Sequence, residues 1–373
     1  MKKLLFLDQT GKSGGAELCL LDIAKNYRSS CLVGLFEDGD FRKRLEQHHI
    51  PVRVLAKRSI AVRKSSGAIA GLMSLGQLIP LAVRVATLSR QYDAIYANTQ
   101  KALVMGAIAS RFSHRSLVYH LHDILSPEHF SNTNRRLAVL LANRAKLVIA
   151  NSQASRDAFI TAGGNPALVE VVYNGFEIEP YQTEARSPIG LEGRFVVGHF
   201  SRLSPWKGQH VLLEALKYCD EKVGAIFVGD ALFGEQDYVQ QLQQQVQQFG
   251  LGDRVKFLGF RNDIISLMKS CDLVAHTSTA AEPFGRVIVE AMLCGKPTIA
   301  AKAGAAPELI DHGINGWLTT PSDAKELADM IESCRQNSQE TAKIAAIAQQ
   351  QASQRFRLTE TNAQIHQYLE ARL

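Results

Sequence analysis

The sequence predicts an α/β protein built from two doubly wound, Rossmann-like domains. Three observations lead there. The chain has 373 residues, long for a single core, so two domains are the default. Short apolar strands alternate with helical stretches almost throughout, which is the pattern of parallel sheets wrapped by helices. The alternation stops at Glu177–Glu192, where Pro180, Pro188 and Gly190 give linker composition, and restarts at Phe195. The expected division is an amino-terminal domain over 1–178, a linker over 179–193, a second domain over 194–356, and a final helical segment over 357–373.

In the first half, Leu4–Asp8 reads as strand one rather than as a signal peptide, because its apolar part is too short. A glycine-bearing turn, Gln9–Glu17, leads to a helix from Leu18 to Tyr27. Strand, glycine turn and helix together aim backbone N–H groups at a phosphate. The spacing around Gly14 and Gly15 matches neither the Walker lysine–serine pattern nor the dinucleotide GxGxxG. Cys31–Phe36, Val52–Leu55, Ala94–Ala97, Leu117–Leu121, Leu147–Ala150 and Val169–Tyr173 complete the strands. Asp38-Gly39-Asp40 falls in a βα turn and reads as a solvated turn, so no metal is expected there or elsewhere. His120 and His122 alternate in period two and share a face. His122, just past its strand's carboxyl end, lies where open α/β sheets bind ligands, whereas His120 reads as a packed core histidine. Lys57, Arg58, Arg63 and Lys64 precede Ser65–Val83, nineteen residues without a charge. Pro80 and the glycines there favour a sheet-covering helix over a membrane span.

The second half opens with strand Phe195–Phe200, then Ser201–Gly208, then a helix from Gln209. Arg202 offers a planar fork and Lys207 a point charge beside a helix amino terminus, which suits a phosphate. Strands at Ala225–Val228, Val255–Leu258, Leu273–His276, Thr298–Ala300 and Trp317–Thr319 follow, and the helical stretches 324–335, 340–355 and 359–373 end the chain. Between the strands at 273 and 298 lies Ala281–Met292, bracketed by Glu282 and Glu290. Pro283 and Gly285 break the chain, and the run from Val287 reads as a buried helix. If helical throughout, the two glutamates would stand about 12 Å apart along the axis. That is too far to share a proton, and right for gripping two ends of an extended ligand. A carboxylate at Glu290, inside an apolar helix, also needs a partner.

Composition narrows the function. Hydrophobic residues make up 46% and charged residues 21%, which describes a globular chain rather than a disordered one. The six cysteines lack metal spacing and read as buried thiols of a reducing compartment. Residues 1–190 carry 24 lysines and arginines against 15 acids, and the remainder 18 against 21. A basic first half suggests an anionic surface, and a membrane face fits it better than nucleic acid. The expected setting is cytoplasmic, with peripheral contact to the inner face of an anionic membrane.

Arg202, Lys207-Gly208 and Glu282-Pro283-Phe284-Gly285 ending at Glu290, with Gly14-Gly15-Ala16-Glu17, Asn174-Gly175, Ala303-Gly304 before Pro307-Glu308, and Asn315-Gly316-Trp317-Leu318, resemble a retaining glycosyltransferase of family 4. The likeness spans essentially the whole chain. It implies the GT-B fold, two facing Rossmann-like domains with a donor cleft between them, and a nucleotide-diphosphate sugar as donor, with a UDP-sugar favoured over a GDP-sugar. By this resemblance Arg202 and Lys207 stabilise the departing diphosphate, Glu282 faces the donor sugar, and Glu290 holds the ribose hydroxyls. The backbone N–H groups of Phe284, Gly285 and Arg286 lie near sugar and phosphate. The Gly14–Gly15 pair approaches the phosphates, and His122 contacts the sugar or reacting centre. The base lies near Gly229, Asp230 and the turn containing Phe260 and Arg261. The turn Ala303-Gly304-Ala305-Ala306 departs from the family in having alanine where a second glycine is common, and Trp206 could be core or a wall of the site.

The implied reaction moves a hexosyl unit to a hydroxyl of a glycan or glycolipid acceptor, without a cofactor or metal. Cations and a helix dipole aimed at the leaving diphosphate lower the barrier as its charge grows. The rival readings are another GT-B sugar-nucleotide enzyme (an epimerase or phosphorylase), a catalytically silent sugar-nucleotide-binding protein, and a nicotinamide-dependent Rossmann protein, which the missing GxGxxG disfavours.

Overall fold

The protein is described by a computed structural model covering residues 1–12, 14–56, 68–231 and 234–373, with backbone alone for 68–78. The basic segment Lys57–Lys64 lies outside the described residues. The chain forms two compact units, one of residues 1–176 with 358–373 and the other of residues 177–357.

The first unit contains β1 (Leu4–Asp8), α1 (Gly15–Asn26), β2 (Cys31–Leu35), α2 (Asp40–Gln47), β3 (Val52–Val54), α3 (Ala68–Ser89), β4 (Ala94–Ala97), α4 (Gln100–Ser113), β5 (Ser116–Leu121), α5 (Asn132–Ala142), β6 (Leu147–Ala150), α6 (Gln153–Thr161) and β7 (Val169–Val171). Its sheet is parallel, in the order β3-β2-β1-β4-β5-β6-β7. The order reverses between β1 and β4, so their carboxyl ends flank a switch point, where such sheets bind ligands. Helix α1 begins at Gly15, a few residues earlier than the apolar pattern suggests, which puts Glu17 in its first turn. Strands β1, β4 and β6 are buried along their whole length, as expected of a sheet covered on both faces.

The second unit contains β8 (Phe195–Phe200), α7 (Gln209–Ala215), β9 (Val223–Val228), α8 (Gln236–Gln248), β10 (Val255–Gly259), α9 (Ile264–Ser270), β11 (Leu273–His276), α10 (Arg286–Leu293), β12 (Thr298–Ala301), α11 (Ala306–Leu309), β13 (Trp317–Thr319), α12 (Ala324–Gln336) and α13 (Ser338–Arg355). Its parallel sheet has the order β10-β9-β8-β11-β12-β13, with the switch point between β8 and β11. The segment before β8 is tied to this unit: Ser187 donates to Asp263 at 2.6 Å, and Leu191 is buried.

The last helix, α14 (Leu358–Arg372), belongs to the first unit. Its Ile365 and Leu369 join the core beneath β1, and Thr361 donates to the Tyr173 carbonyl at 3.1 Å. Gly175 makes this approach possible, since a Cβ there would stand 2.7 Å from the Leu358 Cα.

Candidate active site

At the β8–β11 switch point the loops of the second unit are locked together by backbone. Gly208 takes φ +72, and a Cβ there would sit 1.9 Å from the Thr277 carbonyl oxygen, so only glycine fits. Thr277 donates to the Gly208 carbonyl at 2.7 Å. The Thr279 N–H donates to the Trp206 carbonyl at 2.8 Å. These bonds hold the turn after β8 against the turn after β11, and thereby place Lys207 beside Glu282.

Lys207 Nζ lies 2.6 Å from Glu282 Oε2. His276 Nε2 and the Ser278 hydroxyl each reach the same oxygen at 3.1 Å. Burial opposes charge on Glu282, but Lys207 and then His276 outweigh it and hold the carboxyl well below the usual carboxylate range. Three donors converge on Oε2, so the side chain has one fixed direction. The backbone is fixed as well: Ala305 N–H donates to the Glu282 carbonyl at 2.8 Å. Gly304, at φ +59, comes so close that a Cβ would lie 2.2 Å from that carbonyl oxygen. The Ala303–Ala306 turn is therefore the brace of Glu282, and alanine at 305 still supplies the N–H.

Lys207 Nζ sits 4.1 Å from the Trp206 ring centre, and the Arg202 guanidinium 5.6 Å from it. Trp206 is half-buried beneath both cations, a cation–π platform rather than core. Gly285, at φ +87, caps α10. Phe284 is buried and meets Phe356 edge to face, so its ring is packed within this unit. Glu290 is half-buried, with Arg286 one turn earlier at 3.6 Å. Gly229 must be glycine, because a Cβ would stand 2.0 Å from the Ser201 carbonyl oxygen. Asp230 is exposed, Phe260 is 63% exposed, and Arg261 is engaged with Asp263 through two hydrogen bonds. The structure thus gathers Lys207, Trp206, Arg202 and Glu282, whereas Phe260 and Arg261 belong to the separate turn after β10.

In the first unit the switch point gathers other residues. Asn98, directly after β4, donates from Nδ2 to Asp8 Oδ2 at 2.7 Å and to the Ala16 carbonyl at 3.1 Å. Its Oδ1 meets His122 Nε2 at 2.9 Å. Glu17 accepts the Gly14 N–H at 2.9 Å and so shapes the glycine turn. Burial raises the Asp8 carboxyl to about 6, and burial with the nearby Asp8 charge raises Glu17 to about 8. His120 is 1% exposed, bonded through Nδ1 to the Tyr96 hydroxyl at 2.8 Å and stacked on His122 at 3.9 Å. Among the described residues, Cys19, His120 and His122 bring three potential metal ligand atoms within 4.8 Å of one another. Hydrogen bonds already engage all three: Cys19 Sγ with Asn174 Oδ1 at 3.2 Å, His120 Nδ1 with the Tyr96 hydroxyl, and His122 Nε2 with Asn98 Oδ1. Asp38, for its part, is paired with Arg42 at 2.8 Å.

Residues 13–180 match the description "Glycosyltransferase Family 4" and residues 181–351 match "Glycosyl transferases group 1". The crystal structure of Anabaena HepE in complex with UDP-glucose is 60% identical, covers 100% of both chains and superposes with a TM-score of 0.92. The chain belongs to glycosyltransferase family 4. Its GT-B sheets of seven and six strands are those set out above. Spore coat protein SA of Bacillus subtilis is 30% identical over 211 residues, half of this chain and 54% of that protein. D-inositol 3-phosphate glycosyltransferase of Mycobacterium sp. strain JLS is 28% identical over 215 residues, 56% of this chain and 48% of that protein. The chain thus spans about half the length of these curated relatives.

Sequence reasoning had not singled out Asp8 and Asn98 at the first unit's switch point, nor His276 and Ser278 beside Glu282 in the second unit, and it noted Gly304 without its bracing of the Glu282 backbone. A signal existed for the first two. Both stand at the ends of β1 and β4, the strands that flank the switch point.

Proposed function

We propose that this family 4 protein is a hexosyltransferase that moves a glucosyl unit, with retention of configuration, from UDP-glucose to a hydroxyl of a glycan or glycolipid acceptor. The observation that carries the donor is the 60% identity, over the whole chain, with HepE in complex with UDP-glucose. The geometry supports it. Arg202 and Lys207 form a cationic pair over Trp206 that can neutralise a departing diphosphate, a role that otherwise calls for a metal. Glu282 shares its Oε2 among three donors and can offer Oε1 to a sugar hydroxyl. Glu290 and the backbone N–H groups of Phe284, Gly285 and Arg286 are assigned to ribose and phosphate. Gly229 and Asp230 are assigned to the base, with Phe260 and Arg261 less directly placed. Gly14, Gly15 and His122 are the first unit's contribution to the donor.

The glutamates therefore bind, and the diphosphate that leaves takes the acceptor's proton on the same face of the sugar, unlike the paired carboxylates of glycosidases. Charge asymmetry and buried thiols support a cytoplasmic setting with peripheral contact to an anionic membrane. Among the described residues no helix is long and apolar enough to cross a membrane.

A thermal-shift panel tests the donor. UDP and UDP-glucose should stabilise the protein by about 2.7 kcal/mol at a hundredfold excess over Kd, and GDP-sugars by less. Stabilisation by GDP-sugars alone would overturn the donor assignment. UDP-glucose turned into an epimer or a sugar phosphate would favour the epimerase or phosphorylase reading instead.

A further inference from the structure

In the first unit, β1, β4 and β5 end side by side, which brings Asp8, Asn98 and His122 into one hydrogen-bonded line. An asparagine amide can turn either way, and its orientation decides which histidine nitrogen it can serve. Here the orientation is determined. The Nδ2 group faces two acceptors, Asp8 Oδ2 and the Ala16 carbonyl, and Asn98 is fully buried. A turned amide would set its own oxygen against both of them, an arrangement a buried site does not tolerate. Oδ1 must then face His122, and an amide oxygen only accepts. His122 Nε2 therefore carries the proton.

We propose that Asp8 and Asn98 are positioning residues that fix the ring of His122 and hold it in the Nε2–H tautomer, which makes Nδ1 an acceptor. This rests on the sugar contact assigned to His122 above and specifies its chemistry: an acceptor reading a hydroxyl donor. The groups around the line agree with it. His120 stacks on His122 with its Nδ1 engaged by Tyr96. Burial, and then the proximity of His122, keep His120 neutral well below the usual imidazole range. Cys19 donates its thiol to Asn174 at 3.2 Å. Asp8, Glu17 and Asp123 are the carboxyls nearby. An imidazole oriented by a buried amide and carboxylate follows the same logic as other sites where an outer partner selects the tautomer.

The direct test is a long-range proton–nitrogen correlation spectrum of the full chain labelled in its histidines, with the His122 signals identified by their loss in His122→Gln. The expected result is the Nε2–H tautomer in the unaltered protein. In Asn98→Ala that preference is lost, and kcat falls about ten- to hundredfold, as when an outer partner is removed, while the Kd for UDP stays the same. An Nδ1–H tautomer in the unaltered protein overturns the proposal without any variant having to fold. So does Asn98→Ala with its Nε2–H signal and kcat intact. Full activity in His122→Ala strikes the underlying sugar contact instead, and the unaltered protein's spectrum tells the two failures apart.

Discussion

Lys207 and Glu282, to which the proposed function assigns the donor chemistry, also carry part of the second unit's stability. Removing one partner of a buried ion pair leaves a charge that water cannot reach, at a cost of about 3–5 kcal/mol. His276 and Ser278 remain on Glu282, so Lys207→Ala should fall at the lower end, about 3 kcal/mol in urea unfolding. The double variant Lys207→Ala/Glu282→Gln should lose less than the sum of the two, because no charge is then stranded. All three should lack transfer activity. Strict additivity of the stability losses would contradict the pairing. Glu17 makes the opposite case. Its carboxyl is raised from 4.5 to about 8, so between those values the folded protein keeps a proton that the unfolded chain has released. Stability must then fall as pH rises through that window, with Asp8, raised to about 6, acting the same way at its lower end. Glu17→Gln keeps an acceptor for the Gly14 N–H and should flatten the dependence of Tm between pH 6 and 8. An unchanged slope would count against the burial of this carboxyl.

At the scale of elements, the turns after β8 and β11 work as one piece because glycine permits their contact. Gly208→Ala adds a left-handed non-glycine, about 1–3 kcal/mol of strain, and a clash with the Thr277 carbonyl. It should displace Lys207 and abolish UDP binding. Gly190 has a similar φ of +71 but nothing within 4 Å, so Gly190→Ala should show the strain alone, with UDP affinity kept in calorimetry. Much of this was legible in the sequence. Strands buried on both faces read as apolar runs, and Pro283 with Gly285 announced the start of α10. The brace at Gly304 was not legible, because a lone glycine after a strand has many uses and its partner here is a backbone carbonyl. Asn98 and Asp8 were hidden differently. Each is an ordinary polar residue at a strand end, and they are 90 positions apart. Only the crossover that sets β4 beside β1 makes them neighbours. Trp206 was ambiguous for want of a geometric fact: whether cations lie over its ring.

For the whole molecule, the unequal charge of the two halves predicts behaviour at a surface. The protein should sediment with vesicles of anionic lipid at low salt and be released at about 0.5 M salt, where the screening length falls to a few ångströms. Failure to bind at low salt would remove membrane contact from the account and leave the donor site untouched. The central claim is transfer from UDP-glucose with retention by a site built on Lys207 and Glu282. It is tested most directly by proton NMR of the sugar product as UDP is released. The account predicts an α-linked glucoside, formed one for one with UDP and absent with Glu282→Gln. A β-linked product, or wild-type turnover in that variant, would contradict it.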